Sequence, residues 1–534
     1  MSLTASTAES APAAAAGAKG AGRVWKSPFF PAVLQALALG VLGGMIAAGW
    51  GRHGVPGGGT VPLLYTNLAT LGFWVLWLMA LVLLLPAIGR LWCTVCPVGW
   101  CNDLAARAGA GIAYPRRLQN LGIMALLLLG FNMAAEIFGL NRWPDRTAWM
   151  LGLVLVAAAG AGAVFRGRVF CRFWCPVGGM VSLGSRLAPV EVASKDQEVC
   201  RRCESKACFY GSTRWYRLAW PGRRSVFAHK RPGCPAYIFP PEAAPGPSCL
   251  MCTQCLKNCP YDNLRWGGRA WGSGLWREAA RDRSEALLIV VLAGLVFYRL
   301  ARFWAGLREV VEWPAAAVAS AIAGAPPAVL KGVLLFTGFL LWPLAFFLAL
   351  GMIAKLVSEV SVTPLAGPEE AAAAAVYGAA EIDEEARRRE GGWSARRHTV
   401  WGYIAAYGYA FIPLIMGAYG AFALVKLNEK AAYLPLALRD PAGVQTSVAI
   451  NQLLVLAAPD SLAPLTAVRW GAVALAAAGL CASLWSAGRI GARSYGAGTP
   501  AARRGAAVFR AGALLLGAVL IACIKEWLFR GPRG

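Results

Sequence analysis

Ser248-Cys249-Leu250-Met251-Cys252-Thr253-Gln254-Cys255-Leu256-Lys257-Asn258-Cys259-Pro260 sets the terms on which the rest of the chain is read. Three cysteines stand two residues apart, and a fourth follows after three more, directly before a proline. That spacing suits a 4Fe–4S cube: one tight loop wraps three iron corners, and the fourth thiolate turns away to serve a neighbouring cluster. A zinc ribbon is the competing use, but its two Cys-x2-Cys arms normally lie a dozen or more residues apart.

A looser copy lies upstream, Cys200-x2-Cys203-x4-Cys208, then a long insertion, then Cys234-Pro235. Exchanging the fourth cysteines gives two ligand sets. Cys200, Cys203, Cys208 and Cys259 would hold one 4Fe–4S cluster; Cys234, Cys249, Cys252 and Cys255 would hold the other. The alternative is a degenerate half that has lost its metal or binds zinc. Arg201, Arg202, Lys206 and Lys257 flank these cysteines and should raise a cluster's potential, because reduction adds negative charge. The insertion 209–233 interleaves Arg214, Arg217, Arg223, Arg224, Lys230 and Arg231 with Trp215, Tyr216 and Trp220. Such a mixture can bind single-stranded nucleic acid. Beside a membrane, an anionic leaflet or an acidic redox partner is the more natural target, and a plain solvated basic face fits equally well. No nucleic-acid partner is expected.

The surroundings of this segment are apolar. Of 534 residues, 57% are hydrophobic and 15% charged, with 52 basic against 27 acidic side chains. A soluble enzyme carries about 25% charged residues, so a simple soluble enzyme, a secreted disulfide scaffold and a disordered chain are all disfavoured. A helix needs about 20 apolar residues to cross the bilayer. Nine such stretches are expected, near 29–49, 65–88, 118–138, 147–165, 285–303, 329–356, 399–425, 466–487 and 507–529. The first 28 residues lack an apolar core followed by a cleavage site and read as the tail of a signal anchor. Loops 89–117 and 488–506 are richer in arginine than loops 50–64 and 139–146. By the positive-inside rule the N-terminus is inside. Residues 166–284, with 20 basic against 8 acidic side chains, fall on the same side.

Thirteen of the fifteen cysteines lie between 93 and 259, all in segments placed on that inner side. A cytoplasmic compartment keeps thiols reduced, so clustering there points to metal or redox chemistry. With three histidines and no Cys-x-x-Cys-His, neither b-type nor c-type haem is expected. An internal repeat adds to the pattern. Gly89-Arg90-Leu91-Trp92-Cys93-x2-Cys96-Pro97-Val98-Gly99 is echoed by Gly167-Arg168-Val169-Phe170-Cys171-x3-Cys175-Pro176-Val177-Gly178. Each copy follows a pair of spans, so 29–105 and 118–183 read as duplicated hairpins. Cys93, Cys96, Cys171 and Cys175 can converge on one metal or cluster, form redox-active pairs, or merely cap helices that Pro begins or ends. Cys101 is a spare thiol in this scheme.

With these parts in view, residues 29–270 resemble the membrane polyferredoxins of the NapH, NosR and MauN type, and more distantly the CcoG type. The resemblance implies electron transfer in the inner membrane between quinol and a redox partner, or a role in maturing a respiratory enzyme. It carries over Cys93, Cys96, Cys171, Cys175 and the eight cysteines above. Three departures stand out. The first Cys-Pro motif has two intervening residues, not three. No Ser/Thr-Gly-Ala-Thr sequence marks a covalent flavin. Residues 285–534 add about five spans without a motif, including a loop, 367–397, that reads as a cytoplasmic helix.

The expected fold is a polytopic α-helical membrane protein of about nine spans with an inserted small α+β two-cluster ferredoxin-like domain. Its parts are a cytoplasmic tail, 1–28; duplicated hairpins, 29–183; a cytoplasmic two-cluster domain, 184–284; and a C-terminal membrane domain, 285–534. Asn132 and Glu136, four apart on the third span, and His53 in the adjacent loop are candidate quinone ligands; a pairing of Glu136 with Arg142 is the bland alternative. The leading expectation is an electron-transfer protein, in effect a quinol dehydrogenase component, carrying two 4Fe–4S clusters and perhaps a further metal or cluster at the Cys-Pro motifs. The alternatives are an assembly factor that handles copper or reduces a metal, and a redox-sensing membrane protein.

Overall fold

The computed structural model describes residues 30–53, 63–220, 223–236, 238–239, 249–277, 283–322, 324–359 and 398–530, with the backbone alone for 214–231, 359 and 530. The N-terminal tail and the loop 367–397 lie outside the described residues.

Among the described residues eight helices are long and apolar enough to cross a membrane: Ala32–Gly49, Leu68–Ile88, Pro144–Val164, Arg283–Ala301, Pro327–Ser358, Val400–Arg439, Leu465–Tyr495 and Pro500–Phe529. They match eight of the nine expected stretches, and they make this a multi-pass membrane protein. The ninth, expected at 118–138, forms a shorter apolar helix, Gly122–Ile137, of 16 residues. Its ends are fixed locally. Asn120 accepts the Gly122 N–H at 3.0 Å, and Gly139 turns left-handed at φ 60° one residue past Phe138, a common way to stop a helix. At 1.5 Å per residue it reaches about 24 Å, less than the roughly 30 Å hydrocarbon core.

Packing makes one continuous core from both hairpins and the C-terminal helices. Small residues bring the later helices together: a Cβ on Gly417 would lie 2.8 Å from the Leu475 carbonyl oxygen, and one on Gly479 2.5 Å from that of Pro413. Such glycines let backbones touch where apolar burial alone gives little specificity. A buried ion pair joins the second hairpin to this bundle. Arg186 Nη2 meets Glu285 Oε2 at 2.7 Å, and the guanidinium lies 4.5 Å over the Tyr409 ring.

Between the fourth apolar helix of the hairpins and Arg283–Ala301 the chain builds a small segment with four strands: β1 Val190–Ser194, β2 Gly211–Trp220, β3 Arg223–Pro232 and β4 Leu264–Gly268. β1 and β4 pair antiparallel with Val192 opposite Trp266, which brings the two ends of the segment together. β2 and β3 form a separate antiparallel hairpin from Gly211↔Pro232 to Trp220↔Arg223. The basic insertion is therefore a hairpin. Asn258 ties its base, taking the Ser212 hydroxyl at 2.8 Å and donating to the Pro232 carbonyl at 2.8 Å.

Candidate metal centres

The eight cysteines of the segment line two separate cavities. One, of about 770 Å³ and open to solvent, is lined by Cys234, Cys249, Cys252 and Cys255, with Arg90, Arg269 and Glu191 at its walls. The other, of about 290 Å³, is lined by Cys200, Cys203, Cys208 and Cys259, with Phe239 and Asn263. The partition reproduces the two ligand sets expected from the exchanged fourth cysteines.

Local backbone explains how the thiols turn inward. Lys206 lies between Cys203 and Cys208 at φ 40°, while Met251 and Thr253 alternate with the cysteines of the 249–255 loop at φ 50° and 66°. Left-handed non-glycine residues are strained, and they concentrate at ligand clamps. Short helices follow each loop, Ala207–Tyr210 and Gln254–Asn258.

The two cavities differ in their polar partners. In the smaller one Asn263 donates twice to sulfur, its side-chain amide to Cys200 Sγ at 3.1 Å and its backbone N–H to Cys259 Sγ at 3.2 Å. In the larger one the charges are arginines: Arg90 acts on Cys249 and Arg168 on Cys252. Burial pushes the Cys208 and Cys252 thiols up to about 12, so metal loading there must displace protons. Arg201 and Arg202 are less available than their sequence suggests, since both pair with Glu198, at 3.2 and 2.9 Å. Lys257 is buried and donates to the Phe30 carbonyl.

The repeated Cys-Pro motifs come together beside the larger cavity. Gly89 and Gly167 both adopt positive φ, 58° and 72°, so each copy opens on a backbone conformation that only glycine adopts freely. Cys96 and Cys175 then occupy the N-cap positions of the helices Pro97–Ala108 and Pro176–Gly184. The extra residue of the second copy is absorbed by a π turn, Phe170–Trp174, in which Cys175 N–H reaches back five residues to the Phe170 carbonyl at 2.8 Å. Both copies grip the neighbouring cysteine loop. Thr94 Oγ1 donates to the Met251 carbonyl at 2.7 Å, and Arg168 N–H to that of Pro235 at 3.1 Å.

A third cavity, of about 530 Å³, lies among the apolar helices and is lined by Trp74, Phe131, Asn132, Val177, Arg299 and Tyr419 among others. Arg299 donates to Asn132 Oδ1 at 3.3 Å. The other two quinone candidates do not line it. His53 Nδ1 meets Asp145 at 2.9 Å in an exposed position, and the Glu136 carbonyl accepts from Lys331.

Among the described residues no three His, Cys, Asp or Glu side chains are grouped so as to hold one metal ion. A cubane spreads four thiolates over four iron corners, a wider arrangement than the single-ion tetrahedron. Sequence reading missed Arg90, Arg168 and Asn263 as site residues. The two arginines had a signal, the Gly-Arg pair that opens both copies of the repeat; Asn263 had none. No family model, curated protein or solved structure matches the chain.

Proposed function

We propose that this chain is a membrane-bound iron–sulfur electron-transfer protein that passes electrons between a quinone in the membrane and a redox partner beside the polar segment. The observation that carries the reading is the division of eight cysteines into two cavities, each lined by one complete four-thiol set. When bound there, 4Fe–4S clusters supply one-electron carriers with potentials set by charge, hydrogen bonds to sulfur and exposure. The chain's own residues do the rest. Asn263 directs two N–H groups at the smaller set, and Arg90 and Arg168 offset thiolate charge at the larger. Asn132, Arg299 and Tyr419 supply polar groups to an otherwise apolar cavity of quinone-like character. The distribution of arginine in the short loops favours the cytoplasmic side of an inner membrane for the polar segment.

Anaerobic purification followed by iron and sulfide analysis and EPR tests the reading. Two cubane signals after reduction, with at least about eight iron per chain, are the expected result. Zinc in place of iron, with no signal after dithionite, overturns it. Reporter fusions after residue 230 are expected to report cytoplasm; a far-side signal would move the segment and its partner across the membrane.

A further inference from the structure

The two Cys-Pro motifs meet each other at a position with its own electrostatics. Cys96, Cys93 and Arg90 are the charged neighbours of Cys175, while Arg168, Cys96, Cys175 and Cys93 are those of Cys171. A Cβ on Gly99, in the first motif, would lie 3.6 Å from Cys171 Sγ in the second. The two motifs therefore pack against each other, with their four thiols within electrostatic reach of one another.

Three further features bear on what they hold. First, two helix N-termini converge here, each presenting amides to a cysteine sulfur. Gly178 N–H donates to Cys175 Sγ at 3.2 Å, and the Gly99 and Val98 amides do the same for Cys96. These are helices of 12 and 9 residues, so a helix N-terminus and its amides stand at each of the two sulfurs. Second, both arginines of the repeat are 3% exposed and each acts on thiols of both groups, Arg90 on Cys175 and Cys249 and Arg168 on Cys171 and Cys252. Arg168 binds Asp103 in a fork, Nε to Oδ1 at 2.9 Å and Nη2 to Oδ2 at 2.5 Å, and Nη1 reaches the Cys93 carbonyl at 3.4 Å. Two buried guanidiniums repel a bare cation in transit. They suit a group that stays anionic after its metal is counted, as four thiolates on an iron–sulfur core do. Third, the position adjoins both cavities. Val177, two residues past Cys175, lines the membrane cavity, and Cys93 is a charged neighbour of Cys249 in the larger thiol cavity.

We propose that Cys93, Cys96, Cys171 and Cys175 hold a third iron–sulfur cluster, between the membrane cavity and the Cys234/Cys249/Cys252/Cys255 cavity. It rests on the electron-transfer reading and extends it. The centre takes one electron from the quinol side and gives one to the next centre, with no bond made or broken. The near-symmetric hairpins exist, on this view, to bring two thiols each to the shared centre.

The test is iron and sulfide content, with EPR and Mössbauer spectra, of the full chain purified anaerobically in detergent, alongside Cys96→Ser and Cys175→Ser. Wild type is expected to contain about ten or twelve iron per chain, for two cubanes plus a two-iron or four-iron centre. Each variant should fall to about eight while keeping both cubane signals, which also shows that it has folded, and cubane reduction by a quinol analogue should slow at least tenfold. Wild-type iron of about eight with both cubane signals overturns the third centre and leaves the electron-transfer reading standing. So does a disulfide within either pair, or copper bound there with both cubanes intact. Wild-type zinc with no cubane signal overturns the electron-transfer reading itself. Surplus iron that neither variant removes overturns the assignment to these thiols.

Discussion

The two thiol cavities of the polar segment are each lined by four cysteines and meet them with different polar partners. The larger is seated on the membrane hairpins and borrows its compensation from them: Arg90 and Arg168 belong to the Cys-Pro repeat, not to the segment. The smaller is self-contained. Its sulfur contacts come from Asn263, four residues past Cys259, whose side chain also ties down the Asp196 loop by donating to the Asp196 carbonyl at 2.5 Å and accepting its N–H at 3.0 Å. On the proposed reading, one centre would be tuned by long-range packing and the other by local hydrogen bonds. Changes in the hairpins should reach the first and spare the second.

Cys252→Ser should break the comparison outright. It should remove one cubane, about four iron, and leave the signal of the centre at Cys200, Cys203, Cys208 and Cys259. Loss of both signals would mean that the cavities do not fill independently.

Arg168→Gln probes the borrowed charge. It removes a buried cation and leaves Asp103, one-third exposed, without its fork, so thermal or denaturant unfolding should show a loss of about 1–3 kcal/mol, less than for a fully buried pair. In an EPR-monitored redox titration the potential of the larger cavity's centre should fall while the other stays put. Equal shifts in both would remove the distinction.

Asn263→Leu is the mirror experiment. One hydrogen bond to sulfur and two to the Asp196 backbone are lost, at a cost of about 1–3 kcal/mol. The potential of the smaller cavity's centre should drop with no change at the larger.

Glu198→Gln should do least. Its pairs with Arg201 and Arg202 are exposed, and such pairs contribute about 0–1 kcal/mol. Stability should barely move. A small rise in the potential of the smaller cavity's centre, vanishing at high salt, would sharpen the claim that Glu198 masks the two arginines.

The spans were legible because each is a contiguous apolar run whose free energy in lipid depends on its own residues. The exception at 118–138 follows from termini: Asn120 and Gly139 trim a run whose hydropathy alone looks long enough. The grouping of the cysteines was legible for a similar reason, since closely spaced cysteines stay together in one loop and line one cavity. The quinone trio shows the opposite case. Asn132 and Glu136 share a helix face by spacing, yet only Asn132 lines the membrane cavity, and its partner there is Arg299, 167 residues away. His53 belongs instead with Asp145.

Composition and spacing by themselves determined the membrane class, the approximate spans, the two four-cysteine sets and the repeated Gly-Arg…Cys-Pro unit, because each is encoded in neighbouring residues. The tertiary structure decided what those units do to one another. It packed the Cys-Pro motifs together at two helix N-termini, carried Arg90 to the wall of a cavity whose thiols lie dozens of residues away and Arg168 within electrostatic reach of Cys252 there, and seated the cysteine loop on the hairpins through Thr94 and the Arg168 amide. These are long-range contacts fixed by the packing of whole helices. No local pattern specifies where a helix end points until its neighbours are in place.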